Sequence, residues 1–190
     1  MARGLFDSTD SPETNLVHSL LDDIVIDLKS NPDSDMTETF LNGVSVEKEI
    51  RSMAVSNKVS YISTIPEVRK KMVDSQRRLG EKKGIVLDGR DIGTVVCPGA
   101  DIKIFLTASL DVRTMRRFKE LQEKGIEGDI ESVKQNLGSR DRIDSTREDS
   151  PLMQADDALL LDNSNMTVEE QMEWFQNVYD ETLKRLENEG

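Results

Sequence analysis

Arginine carries most of the chemistry this sequence is equipped for, and it is grouped rather than scattered. Residues 113–117 read RTMRR, so Arg113, Arg116 and Arg117 fall at i, i+3 and i+4, on one side of a helix. Residues 139–147, SRDRIDSTR, set Arg140, Asp144 and Arg147 at i, i+4 and i+7, two guanidiniums and a carboxylate on one helical face. A third group is the adjacent pair Arg90 and Asp91 in GIVLDGRDIGTVV, residues 84–96. A guanidinium grips phosphate oxygens through two parallel N–H bonds, and an Asp accepts hydrogen bonds from a base amino group or a sugar hydroxyl. These arginines gather in a chain of formal net charge −12, which points to a local polyphosphate site rather than a general affinity for anions. Phosphoryl transfer would suit such a site, because it needs little covalent help and much positioning and positive charge. For residues 140–147 taken alone, a solvated helix face laced with ion pairs is the simpler account.

The stretch around Arg90 also comes close to a phosphate-binding loop. Gly84 and Gly89 stand at the spacing of G-x-x-x-x-G-K-[ST], whose backbone N–H groups cradle phosphates while Lys and a hydroxyl serve the outer phosphates and Mg²⁺. Here Arg90 replaces the Lys, Asp91 replaces the hydroxyl, and the interior is Ile85, Val86, Leu87 and Asp88. That run reads as a short buried strand, which cannot curl around a phosphate. The segment is therefore expected to be a strand over 84–88 that delivers Arg90 and Asp91 to a binding edge.

Composition narrows the classes. The 190 residues fit one domain with room for a small inserted subdomain and a real core. The acidic balance argues against nucleic acid or an anionic membrane as partner. One cysteine, Cys97, rules out an intramolecular disulfide framework, and one histidine, His18, rules out a multi-histidine metal centre. No metal site built by the protein is expected. No signal peptide and no membrane-spanning apolar run are present, so a cytoplasmic protein is expected.

The elements that must position the arginines follow from periodicity. Residues 1–15 mix turn formers and charges and read as poorly ordered. Residues 16–29 begin with helical spacing and pass into strand alternation at Ile24, Ile26 and Leu28. SNPDSD is a turn, and residues 36–46 form a hairpin about Asn42-Gly43. Helices are expected at 46–62 and 67–82, the second opened by Pro66, then strands at 84–88 and 101–108. The arginine helix 111–123 stops at Gly125, a polar helix follows over 127–147, and a third strand lies at 158–161 before an amphipathic helix from Thr167 to Leu186. Strands alternating with helices predict an α/β protein, a parallel sheet flanked by helices.

SYISTIPEVRKKM (60–72), GIVLDGRDIGTVVCPGADIKIFLTAS (84–109), RRFKELQEKG (116–125), SRDRIDSTREDSPL (139–152) and DDALLLDNSNMTVEEQ (156–171) together resemble the cytidylate kinase family. Those nucleoside-monophosphate kinases phosphorylate CMP and dCMP with ATP and Mg²⁺. The similarity runs in order over about residues 40–187, and the pairing of D-G-R-D-x-G-T-V-V with R-D-x-x-D-x-x-R is specific. It implies a P-loop nucleoside-monophosphate-kinase fold with a small inserted β subdomain: one domain over 1–190, with an inserted CMP-binding region at 22–83, core strands, arginine helix and short lid at 84–128, and a CMP-binding helix, last strand and C-terminal helix at 129–190.

The resemblance also implies roles. Ser60 and Asp144 would recognise cytosine, Arg140 and Asp144 the ribose side, and Arg147 the phosphate or sugar edge. Arg51, Arg69 and Arg90 would lie on the CMP side, Arg90 on its phosphate, with Asp91 orienting that site or its hydrated metal. Arg113, Arg116 and Arg117 would approach the transferring phosphates beside the lid LQEKG. A monomer whose partners are CMP or dCMP and ATP is implied.

One departure from the family pattern matters. The family opens with a strand, a G-x-x-G-x-G-K-type loop with its helix, and a D-x-G-x-x-Y-R segment, none of which occurs in these 190 residues. The expectation is a chain truncated at its N-terminus by roughly forty residues, about a βαβ opening. ATP–Mg²⁺ would lack its cradle, and the strands at 84–88 and 101–107 would lose the strand between them. Two other readings stay open: a non-catalytic CMP-binding remnant, and another small-molecule kinase of the same architecture, adenylate-like or shikimate-like.

Overall fold

The structure, a computed structural model of the chain, describes residues 19–31, 36–81 and 84–189. The readings made on residues 1–15, on His18 and on most of SNPDSD lie outside them. The chain divides into two compact units, Met1–Ser75 with Arg147–Asp149, and Gln76–Thr146 with Ser150–Gly190.

In the first unit, β1 (Ile26–Asn31), β2 (Met36–Leu41) and β3 (Val44–Ser45) form an antiparallel sheet in the order β1-β2-β3. Ile26 pairs with Leu41 and Asp27 with Phe40, while Leu41 pairs on its other side with Val44. The tight turn between β2 and β3 is the expected one: Asn42 and Gly43 have φ of 50° and 81°, the left-handed geometry that an Asn-Gly pair adopts at least strain. Asn42 also secures β1, its Oδ1 accepting from the Val25 N–H at 2.8 Å.

The single helix expected over 46–62 is two helices, α1 (Glu47–Ile50) and α2 (Met53–Ile62). Ser52 makes the break. Its backbone is extended and its hydroxyl accepts the Val55 N–H, so it caps a new helix instead of continuing the old one. Pro66 begins α3 (Pro66–Gly80), as expected for a residue with no N–H to leave unpaired.

The second unit holds β4 (Ile104–Thr107), α4 (Leu110–Glu123), α5 (Ile130–Thr146), β5 (Leu159–Asp162) and α6 (Val168–Glu189). β4 and β5 pair in parallel, Ile104 with Leu159 through Thr107 with Asp162. Ser109 caps α4 by accepting the Val112 N–H, and Gly125, at φ 65°, ends it in the left-handed region that favours glycine. α4 and α5 pack side by side, with Leu121 (1% exposed) and Val133 (2%) sealed in the core.

Residues 84–88 are not a strand, which corrects the sequence reading. Among the described residues nothing pairs with them, and a ladder is made by partners, not by one chain's preference. Val86 is consequently 91% exposed. The segment next winds into a π-helical turn, Ile92–Val96, where the loop had been expected. Among the described residues no helix is long and apolar enough to cross a membrane.

Candidate functional site

A cavity of about 480 Å³ lies in the second unit. Its walls include residues 87–90 with Ile92 and Gly93, β4 with Ala108 beyond it, Arg113 and Arg116 of α4, Asp141 of α5 and Asn163 beyond β5. The carboxyl end of a parallel strand is where such sheets bind ligands, and β4 runs into this cavity.

The arginines expected to do chemistry are each held, and the holders differ. Arg90 lies 3.3 Å from Asp144, joining the two motifs that had been read separately. Asp144 is buried (3% exposed), and its backbone carbonyl also accepts the Leu152 N–H at 2.6 Å. Arg140, one turn before it on α5, is partly buried. Desolvation lowers its pKa first, and the positive charge of Arg90 adds to the effect. Arg113 pairs with Asp141 at 2.7 Å and donates from Nε to the Ala108 carbonyl at 3.0 Å. Arg117 pairs with Glu120 at 2.7 Å. The Glu120 carboxyl is held below the ordinary range, first by Lys124 and then by Arg117. Arg116 donates to the Asn163 side-chain oxygen at 2.9 Å and to the Asn163 carbonyl at 2.7 Å.

Asp91 sits at the start of the π-helical turn, 8% exposed, and its carbonyl accepts the Val95 and Val96 N–H groups. The Arg-Asp pair is thus delivered by a segment that joins no sheet among the described residues and by a tight turn, rather than by the end of a strand.

The other expected residues belong to the first unit. Ser60 is buried on α2, its carbonyl accepting from the Ser63 hydroxyl at 2.7 Å. Arg51, at the end of α1, makes two bonds to Glu47 Oε1, at 2.9 and 2.7 Å. These hold the Glu47 carboxyl below its usual value, with the Thr39 N–H on the other oxygen adding to the effect. Arg69 lies on α3. Arg147 is not on the helical face expected for it, because α5 stops at Thr146. The Thr146 hydroxyl turns back onto the Arg142 carbonyl at 2.7 Å, and Arg147 reaches Ser63 Oγ at 3.4 Å.

Three holders were missed from the sequence. Glu120, three residues after Arg117, was open to the helical-spacing argument. Asp141 and Asn163 lie 28 and 47 residues from the arginines they hold, and no local spacing points to them. Among the described residues no group of three or more His, Cys, Asp or Glu could hold a metal ion.

A family model described as Cytidylate kinase matches residues 5–181. A cytidylate kinase of Bacteroides thetaiotaomicron is 49% identical over 181 residues, covering 95% of this chain and 79% of that protein. One from Parabacteroides distasonis is 51% identical over 180 residues, covering 95% and 78%. A third, from Flavobacterium johnsoniae, is 52% identical over 148 residues, covering 78% and 64%. A family match over nearly the whole chain, with relatives at half identity, settles the lineage: this chain belongs to the cytidylate kinase family, with its α/β P-loop nucleoside-monophosphate-kinase fold.

Proposed function

We propose that the protein transfers a phosphoryl group from ATP to CMP or dCMP, giving CDP or dCDP. The observation that carries the reading is the buried Asp144 ion-paired with Arg90. A carboxylate kept out of water and oriented by a guanidinium is suited to accept hydrogen bonds from a base amino group and sugar hydroxyls, and Arg90 has further N–H groups for a phosphate. In this reading Arg140, Asp144, Arg90, Ser60, Arg51, Arg69 and Arg147 bind CMP, Asp91 orients the acceptor end, and the arginines of α4 stabilise the transferring phosphoryl. The inserted region at 22–83 contributes Arg51, Ser60 and Arg69, and the protein acts as a cytoplasmic monomer. Mg²⁺ would arrive on the ATP phosphates. Its chemistry there is to neutralise phosphate charge.

The test is a coupled assay of ADP formation with ATP, Mg²⁺ and CMP, beside calorimetric titration with CMP alone. Turnover with CMP and dCMP is expected. In an active enzyme, Asp144→Ala raises KM for CMP and lowers kcat/KM by roughly ten- to a hundredfold, the scale of lost charged hydrogen bonds, with little change in KM for ATP. Binding of CMP without turnover would identify a non-catalytic binder, and turnover with AMP or shikimate in place of CMP would identify another kinase of this architecture.

A further inference from the structure

The three arginines of α4 are held in electrically different ways. Arg113 and Arg117 face carboxylates, Asp141 and Glu120, at 2.7 Å each, so most of their charge is spent within the protein. Arg116 is held at two points by one neutral residue, through the side-chain oxygen and the backbone carbonyl of Asn163. Among the described residues no carboxylate is ion-paired with it. Arg116 and Asn163 both line the cavity.

The orientation of the Asn163 amide is built from the backbone outward. Gln171 Nε2 donates to the Thr167 carbonyl at 3.0 Å, which leaves Gln171 Oε1 as an acceptor. Asn163 Nδ2 donates to that oxygen at 2.7 Å, so Asn163 Oδ1 must face the other way, toward Arg116. Asn163 is 7% exposed, so its donor and acceptor both need partners and both have them. An Asp at this position would still accept from Arg116. It would lack the N–H for Gln171 and would cancel the charge it holds.

We propose that Asn163 is a positioning residue whose neutrality matters: it fixes Arg116 at the cavity wall without neutralising it, making Arg116 the arginine of α4 that offers its full charge to an anionic ligand. That the anion is the nucleotide polyphosphate rests on the kinase reading above. The remaining charged groups of the wall, Asp88, Arg90, Lys103, Arg113 and Asp141, are common to the protein and its variants and drop out of a comparison between them.

The test uses the full chain and inorganic tripolyphosphate, titrated calorimetrically at 20 and 500 mM NaCl. Asn163→Asp is expected to weaken binding about tenfold at low salt, as a carboxylate within a few Å of the binding charge should. The gap should close to about twofold at high salt, where the Debye length falls to a few Å. Asn163→Ser, which keeps a neutral acceptor, stays within about threefold of wild type at both salts. A deficit in Asn163→Asp that ignores salt would mean lost anchoring alone and would overturn the proposal, as would unchanged affinity, or no tripolyphosphate binding by the wild type. The kinase assay separates the two readings. If the wild type turns over CMP and Asn163→Asp does so equally, the role of Asn163 fails and the kinase reading stands. If the salt pattern appears but the wild type phosphorylates no nucleotide, Asn163 keeps its role and the kinase reading fails.

Discussion

Glu120 shows how a residue can be legible while its role is not. Its spacing from Arg117 and Lys124 is a helical one, yet the sequence had assigned Arg117 to a ligand and left Glu120 unread. In the structure Glu120 takes both cations, and its carboxyl pKa is lowered from 4.5. A depressed carboxyl stabilises the fold above its unfolded value, and the contribution disappears as pH falls through the lower folded value. Glu120→Gln should therefore be less stable than wild type in urea melts at pH 7, with the gap closing as pH drops below 4.5. The effect is small because the side chain is 41% exposed and solvent screens its ion pairs. A gap that persists unchanged into acid would assign Glu120 a packing role instead. Asn163 is the opposite case. Its type and position carried no signal, because a neutral amide acquires meaning only from the guanidinium that folding brings beside it.

At the scale of elements, local chemistry was readable wherever one residue type decides the backbone. Asn42-Gly43 set the hairpin turn, Pro66 opened α3, and Gly125 closed α4. Ser52 was equally local and was overlooked inside the single helix expected over 46–62. Residues 84–88 failed for another reason: Ile85, Val86 and Leu87 have strand character, but a strand exists only beside a neighbour, and sequence preference does not reveal which neighbours are there. α4 and α5 pack against each other, and Leu121 is the most enclosed side chain of the pair. Leu121→Ala should lower unfolding free energy by about 2–5 kcal/mol in denaturant melts. Leu186→Ala, at an exposed position of α6, should change it by no more than about 0.5 kcal/mol. Equal losses at both sites would mean that the core lies elsewhere.

For the molecule as a whole, the fold class was accessible because strand and helix periodicities alternate and because five quoted stretches keep the family order. The division into two units was not, since the 147–149 segment joins residues far from it in sequence. β4 pairs with a described strand on one side only. Leu159 N–H bonds to the Lys103 carbonyl and Asn163 N–H to the Thr107 carbonyl, so the backbone groups of 103, 105 and 107 face β5 while those of 104 and 106 face away. That alternation should be readable in time. In deuterated buffer followed by NMR, the amides of Phe105 and Thr107 should keep their protons while those of Ile104 and Leu106 exchange early, a two-residue beat along one strand that only a one-sided ladder produces.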